Sequence, residues 1–100
     1  MGSVMVRYKV KAGRAEENES YIKAVFAQLA AEQPHGLRYA SFKLADGLSF
    51  AHIVYGSDSQ GAGKVLNELA TFKAFTAEIA DRCDELPVST EMTEVGSYGF

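Results

Sequence analysis

The sequence has one cysteine, two prolines, no tryptophan and no long hydrophobic run. A lone cysteine, Cys83, cannot form an internal disulfide, which is typical of proteins from a reducing compartment. No stretch approaches the roughly 20 apolar residues that a membrane-spanning helix needs, and no signal peptide is recognisable. These absences predict a cytoplasmic protein with no membrane partner.

The sequence also lacks a basic cluster. It has 10 Lys and Arg residues against 13 Asp and Glu residues, which gives a net charge of −3. Phosphate backbones are bound through clustered Lys and Arg, so a nucleic acid partner is disfavoured. His35, His52 and Cys83 fall on separate predicted elements, without the spacing of a metal site. We therefore expect no nucleic acid partner and no metal ion.

Residues 58–65 read DSQGAGKV and partly resemble a phosphate-binding loop. That motif needs a glycine where Asp58 stands and a Ser or Thr where Val65 follows Lys64. The RNA-binding signature, tested on residues 47–55, lacks its basic first residue, and Asp46 precedes the glycine. We therefore expect no nucleotide cofactor, and residues 56–63 are predicted to be a flexible crossover loop.

Hydrophobic periodicity divides the chain into the order strand, helix, strand, strand, helix, strand. The second helical region is predicted in two parts, with Thr71 capping the second part and Cys83 on its apolar stripe. Leu86-Pro87 is predicted to end that helix. The predicted elements are a strand over 4–11, a helix over about 14–33, hairpin strands over 37–44 and 48–55, a helical region from about 65 to 85, and a strand over 88–95. This order predicts a single α+β domain over residues 1–100, a ferredoxin-like βαββαβ protomer with an antiparallel sheet and both helices on one face.

Asp46-Gly47 between two apolar stretches is a strong hairpin signal. If these two residues form the loop, Ser41 lies opposite His52, with Tyr39 on the same face of the sheet. The other face then pairs Arg38 with Tyr55. A slip of one residue would exchange the two faces, so the assignment depends on the turn.

His52 is the candidate catalytic base, because histidine titrates near neutral pH. Ser41 and Tyr39 would orient it and complete the predicted catalytic group. The alternative is a hydrogen-bonded histidine within a sheet or a subunit interface. The candidate substrate-binding residues, which would contact an anionic substrate, are Arg7, Arg38 and Tyr55. Such strand residues can equally form a solvated or dimer-facing surface.

Three segments carry a family resemblance: residues 6–13 (VRYKVKAG) before an acidic helix start, 34–39 (PHGLRY) and 69–75 (LATFKAF). With the order of elements, they make residues 4–95 resemble the dimeric α+β barrel superfamily, in its antibiotic-biosynthesis-monooxygenase-like branch. The resemblance implies a homodimer in which two sheets form a barrel with small-molecule cavities. These positions are turns, caps and core, so they indicate fold more than activity.

Some members of this superfamily oxidise aromatic polyketides with molecular oxygen and no prosthetic group. Others degrade haem with an Asn on the first strand, a Trp on the third and a His on the second helix. This chain has no residue of that set in the corresponding places, so haem degradation is disfavoured and no cofactor is expected. Two functions remain open: a cofactor-independent monooxygenase acting on an aromatic or quinol substrate, or a non-catalytic ligand-binding or assembly module.

Overall fold

The computed structural model describes residues 3–55 and 59–99, and the side chains of these residues except 59–63. Four strands and four helices follow one another along the described chain. They are β1 Ser3–Val10, α1 Ala15–Glu32, β2 Arg38–Lys43, β3 Ser49–Tyr55, α2 Ser59–Glu68, α3 Ala70–Ala77, α4 Ile79–Arg82 and β4 Cys83–Met92. The second helical region therefore consists of three short helices, where two parts were predicted.

The four strands form one antiparallel sheet in the order β2-β3-β1-β4. This arrangement confirms the predicted α+β, ferredoxin-like fold. The core lies between one face of this sheet and the helices. Its buried residues are Tyr8, Val10 and Phe50 from the sheet, Val25 from α1, Leu66 from α2, Leu69 before α3, Phe75 from α3, and Cys83 at the start of β4.

Helix α1 ends where the sequence predicts. Gln33 adopts a left-handed conformation with φ of 48° and donates its backbone N–H to the carbonyl of Leu29. Pro34 disfavours the helical region for the residue before it, so the chain leaves the helix at Gln33.

The hairpin register is confirmed, with Ser41 opposite His52, Tyr39 opposite Val54 and Arg38 opposite Tyr55. The turn differs from the predicted two-residue loop. The Gly47 N–H donates to the Leu44 carbonyl at 3.0 Å, so the turn closes one residue earlier. Gly47 has φ of 74°, whereas Asp46 has a negative φ, which excludes a type I′ turn at these two residues.

The Asp46 carboxylate stabilises this turn. It accepts hydrogen bonds from the backbone N–H groups of Leu48 and Ser49 at 2.9 and 2.8 Å, and from the Ser49 hydroxyl at 2.6 Å. These donors hold the pKa of the Asp46 carboxyl at about 2. The turn thus fixes the register through side-chain capping as well as through the glycine.

The last strand begins earlier than predicted. β4 starts at Cys83, so Leu86-Pro87 lies within a strand and Cys83 is not on a helix. The pairing with β1 is irregular around these residues, between the pairs Arg7–Val88 and Lys9–Glu85. Proline is tolerated at such irregularities and on edge strands, and β4 is an edge strand of the four-stranded sheet.

Two helix boundaries in the second half also differ from the prediction. Leu69 precedes α3 as its N-cap residue, and Thr71 instead donates its backbone N–H and its hydroxyl to the Gln28 side-chain oxygen. Helix α2 begins at Ser59, so residues 59–63 are helical and not part of a loop. Residues 56–58 of the predicted loop lie outside the described residues. None of the described helices combines the length and apolar character that crossing a bilayer requires.

Replacing Gly47 with Ala should destabilise the fold by about 1 kcal/mol, because a side chain disfavours positive φ. The free energy of unfolding from urea titration measures this. Gly96→Ala is the control, since Gly96 has no positive φ and open space around its Cα. Equal stability of the two variants would contradict the turn described here.

Candidate functional site

His52 lies in the middle of β3 on the side of the sheet that faces the helices. It is 4% exposed. Its ring stacks with Tyr8 on the neighbouring strand at 5.3 Å between centroids and with Tyr39 at 6.0 Å. Phe75 of α3 packs against it at 5.4 Å with a tilted ring. The imidazole is thus enclosed by aromatic rings from both adjacent strands and one helix.

Both ring nitrogens of His52 have hydrogen-bonding partners. Nε2 lies 2.7 Å from the Tyr8 hydroxyl. Nδ1 lies 2.5 Å from the Ser41 hydroxyl and 3.0 Å from the Tyr39 hydroxyl. The structure therefore brings together His52, Ser41 and Tyr39, the three residues predicted to form the catalytic group. Their catalytic roles remain predictions.

The hydrogen bonds continue beyond Tyr8 into α1 and α4. The side-chain amide nitrogen of Asn18 donates to the Tyr8 hydroxyl oxygen at 2.8 Å. The Nε of Arg82 donates to the Asn18 side-chain oxygen at 3.2 Å. We call the six residues Arg82, Asn18, Tyr8, His52, Ser41 and Tyr39 the buried polar chain.

Arg82 is the charged member of this chain and is fully buried. Its Nη2 donates to the Phe75 carbonyl at 2.8 Å, and its guanidinium lies 4.5 Å from the centre of the Tyr21 ring. Its Nη1 has no hydrogen-bond partner among the described residues. The ion pairs found in the described part of the chain involve other residues, so aromatic faces and neutral oxygens surround this charge.

Sequence reasoning missed Tyr8, Asn18 and Arg82 as site residues. Tyr8 alternates with Val6 and Val10 along the first strand, a pattern that marks it only as one more residue of an apolar face. Asn18 stands four residues before Ile22 and seven before Val25, and Arg82 stands three residues after Ile79. These spacings place polar side chains on apolar helix stripes, which is the signal that could have identified them.

Burial governs the electrostatics of the chain. Desolvation lowers the pKa of His52 from 6.5 to about 4. Burial raises the pKa of Tyr39 to about 12, against a smaller lowering by its hydrogen bond with Ser41. Burial also raises the pKa of the Tyr8 phenol. At neutral pH His52 and both phenols are therefore uncharged, and Arg82 supplies the charge of the chain.

Two cavities adjoin the Nδ1 end of the chain. The larger, the Tyr39 cleft, has a volume of about 340 Å³; the smaller, the Ser41 pocket, has about 100 Å³. The Tyr39 cleft is lined by Phe26, Leu29, Ala30, Gln33, Pro34, Leu37 and Tyr39. The Ser41 pocket lies between α1 and β2 and includes the ion pair of Lys43 with Glu19 at 3.0 Å. His52 lines neither of these cavities and reaches them through Tyr39 and Ser41.

The structure does not bring Arg7, Arg38 and Tyr55 to this site. By the strand register and the alternation of side chains, all three lie on the outward face of the sheet, away from the helices. There the Arg38 guanidinium lies 5.4 Å from the centre of the Tyr55 ring. Any ligand contact by these residues would therefore be made on the outward face.

No family model and no curated protein matches this chain. Solved structures do. An antibiotic biosynthesis monooxygenase has a TM-score of 0.77 at 15% identity, covering 96% of this chain and 100% of its own. SnoaB from Streptomyces nogalater, described as a cofactor-independent oxygenase, has a TM-score of 0.70 at 18% identity. The match covers 99% of this chain and 97% of SnoaB. A Pseudomonas aeruginosa protein has a TM-score of 0.74 at 18% identity, and the match covers 95% of this chain and 94% of that protein. The chain therefore has the fold of antibiotic-biosynthesis-monooxygenase-like dimeric α+β barrel proteins, which confirms the resemblance seen in the sequence.

The depressed pKa of His52 predicts that stability falls as the pH decreases from 6.5 towards 4. In this window the unfolded chain binds a proton on His52 that the folded chain excludes, so the stability present above pH 6.5 is lost. The full loss should be about 3 kcal/mol. Urea unfolding at a series of pH values measures it. His52→Gln should abolish the loss between pH 6.5 and 4.5, while the exposed His35→Gln should retain it. The same slope in both variants would contradict the burial of a neutral His52.

Proposed function

We propose that this protein is a small-molecule-binding dimeric α+β barrel that takes a small aromatic or quinol substrate in the Tyr39 cleft and oxidises it as a cofactor-independent monooxygenase. One observation carries the proposal. Tyr39 belongs both to the wall of the Tyr39 cleft, the larger of the two cavities described above, and to the buried polar chain. The cleft thus joins an apolar surface to a positioned polar group, the combination found in small-molecule sites.

The lining of the cleft suits a small ligand with both apolar and polar parts. Its walls combine the apolar side chains of Phe26, Leu29 and Leu37 with the polar side chain of Gln33, and its volume of about 340 Å³ lies within the usual range for small-molecule sites. The ring of Tyr39 stacks on Phe26, which lines the same cleft, at 5.2 Å, and this contact restricts the orientation of the phenol. An aromatic ligand would pack on these rings and place its oxygen near the Tyr39 hydroxyl.

The proposed chemistry requires the protein to position the substrate and needs no prosthetic group. The substrate would bind as its phenolate or enolate, its proton having passed to water, and give one electron to molecular oxygen. The substrate radical and superoxide then combine into a peroxide, which loses water to leave a carbonyl, so the protein contributes by orienting the substrate and stabilising its charged oxygen. In this site we assign Tyr39 the contact with that oxygen. Ser41 and His52 hold the Tyr39 hydroxyl in place. The likeness in fold to SnoaB supports this activity by analogy.

A non-catalytic binding module is the second candidate function. It is favoured by the enclosure of His52, which is 4% exposed and has a pKa of about 4. Such a group is a weak base, since catalytic bases work best with a pKa near the operating pH. In this case the same cleft would bind its ligand without turnover.

We also propose a homodimer through the outward face of the sheet. Several apolar side chains lie there, and Phe42 is 49% exposed. Ile53 lies near the centre of this face on β3, opposite Met5 of β1, and both are partly exposed. Covering this face would bury apolar area that a single chain leaves in water, as the barrel of this fold implies.

Oxygen uptake by the purified protein, without added cofactor, tests the activity against a panel of anthrones, naphthols and quinols. We expect uptake with at least one substrate, and Tyr39→Phe should lower kcat/KM roughly 100-fold, the usual effect of losing one donor to a developing oxyanion. Tyr98→Phe is the matched control, since Tyr98 is fully exposed. Undiminished activity of Tyr39→Phe would contradict the assigned role. No uptake across the panel would favour the non-catalytic binding module.

Sedimentation equilibrium tests the dimer. The parent chain should sediment as a dimer, and Ile53→Lys should shift it to a monomer, because an unpaired charge within an apolar interface is costly. Ala31→Lys places the same charge on the exposed surface of α1 and should leave the dimer intact. A parent that stays monomeric at high concentration would contradict the barrel.

A further inference from the structure

We propose that the buried polar chain runs in one direction, set by Arg82, and ends in a hydrogen-bond donor, the Tyr39 hydroxyl, which selects ligands carrying an acceptor oxygen. The ligand class is an aromatic ketone, quinone or enolate. The inference rests on the proposed function in one respect, that the Tyr39 cleft is the ligand site. It adds which chemical group of the ligand the site recognises.

Arg82 fixes the first two hydrogen bonds. A guanidinium can donate hydrogen bonds but cannot accept them. The Asn18 atom 3.2 Å from the Arg82 Nε must therefore be the side-chain oxygen, as the structure has it. The amide nitrogen of Asn18 then faces Tyr8 and donates to the hydroxyl oxygen at 2.8 Å.

Tyr8 passes the direction on to His52. Its oxygen accepts from Asn18, so its own hydrogen needs another acceptor. Among the described residues that acceptor is the Nε2 of His52 at 2.7 Å. The reverse arrangement, with Nε2–H donating to Tyr8, would leave the Tyr8 hydrogen buried without a partner, which is unfavourable. His52 Nε2 is therefore an acceptor.

The neutral His52 ring then carries its hydrogen on Nδ1. This hydrogen is directed at Ser41, the nearer hydroxyl at 2.5 Å, with Tyr39 at 3.0 Å. Ser41 accepts from Nδ1 and can donate its own hydrogen to the Tyr39 oxygen. Tyr39 cannot donate to Nδ1, because that nitrogen is itself a donor. Its hydrogen can go to the second lone pair of the Ser41 oxygen or to an acceptor in the cleft that its ring lines. A ligand with an acceptor oxygen takes this hydrogen, and Ser41 then donates to the Tyr39 oxygen.

The positioning residues Arg82, Asn18, Tyr8 and His52 therefore act on the ligand through the orientation of two hydroxyl groups. A ligand with a carbonyl or an ionised oxygen gains a hydrogen bond from Tyr39. A ligand that can only donate hydrogen bonds faces another donor, the Tyr39 hydroxyl, and makes no hydrogen bond with it. For an oxygenase this favours the ionised substrate and a quinone-type product over a neutral phenol that donates.

Asn18→Asp tests the direction with nearly the same shape. An ionised carboxylate accepts from both Arg82 and Tyr8, and its charge lies against the Arg82 guanidinium. Tyr8 would then donate to residue 18, His52 would donate from Nε2, and Nδ1 would accept from Ser41 and Tyr39. The Tyr39 oxygen would become an acceptor for the ligand.

The probes are 1-indanone, which can only accept a hydrogen bond, and indole, whose N–H can only donate. Dissociation constants come from NMR titration of the 100-residue chain at neutral pH. We expect the parent to bind 1-indanone roughly tenfold more tightly than indole, the effect of one hydrogen bond. Asn18→Asp should reverse the order. Asn67→Asp adds the same charge at an exposed position of α2 and should keep the parent's preference.

If Asn18 had a merely structural role, Asn18→Asp would weaken the binding of both probes alike. An unchanged ratio of the two dissociation constants in folded Asn18→Asp would overturn the proposal. So would a parent that prefers indole or binds neither probe. If Asn18→Asp does not fold, Tyr8→Phe replaces it; removing the donor to Nε2 should bring the ratio towards one, and a ratio like the parent's would overturn the proposal. Oxygen uptake is measured separately, so a site that selects 1-indanone without turnover would contradict the monooxygenase and leave the direction of the chain supported.

Discussion

A buried guanidinium that can donate but not accept hydrogen bonds is the constraint on which the interior of this protein depends. Arg82 is fully buried and surrounded by the Tyr21 and Phe75 rings and by neutral oxygens. Its need for acceptors orients Asn18, and Asn18 in turn orients Tyr8 and His52. A single charge thereby sets the arrangement of hydrogens over several side chains, and this arrangement extends to the wall of a cavity.

The fold makes this chain continuous. Tyr8 and His52 face the same side of adjacent antiparallel strands, and Ser41 and His52 are directly opposite on the next pair. Helix α1 supplies Asn18 from above the sheet, and α4 supplies Arg82 just before the chain enters β4. The aromatic rings stacked on His52 exclude water and keep it uncharged. Packing and hydrogen bonding therefore support the same geometry.

Much of the fold, and half of the buried polar chain, could be predicted from the sequence. The alternation of side chains along the strands and the apolar stripe of α1 predicted the ferredoxin-like order of elements. The Asp46-Gly47 hairpin signal predicted the pairing of Ser41 with His52. The start of β4 could not be predicted, because proline usually marks the end of a helix or strand, whereas an edge strand tolerates Pro87 within it. Arg82 and Asn18 were missed because their pairing joins residues 64 positions apart. Local periodicity marks a buried polar side chain but does not identify its partner.

The donor role of Tyr39 depends on a neutral His52 ring that carries its hydrogen on Nδ1. Nitrogen-15 NMR of the unmodified protein at neutral pH, with the histidine ring nitrogens labelled, tests it most directly, because the shifts of protonated and unprotonated ring nitrogens differ widely. We predict a protonated Nδ1 and an unprotonated Nε2 for His52. A hydrogen on Nε2, or on both nitrogens, would contradict the direction assigned to the chain and the donor role of Tyr39.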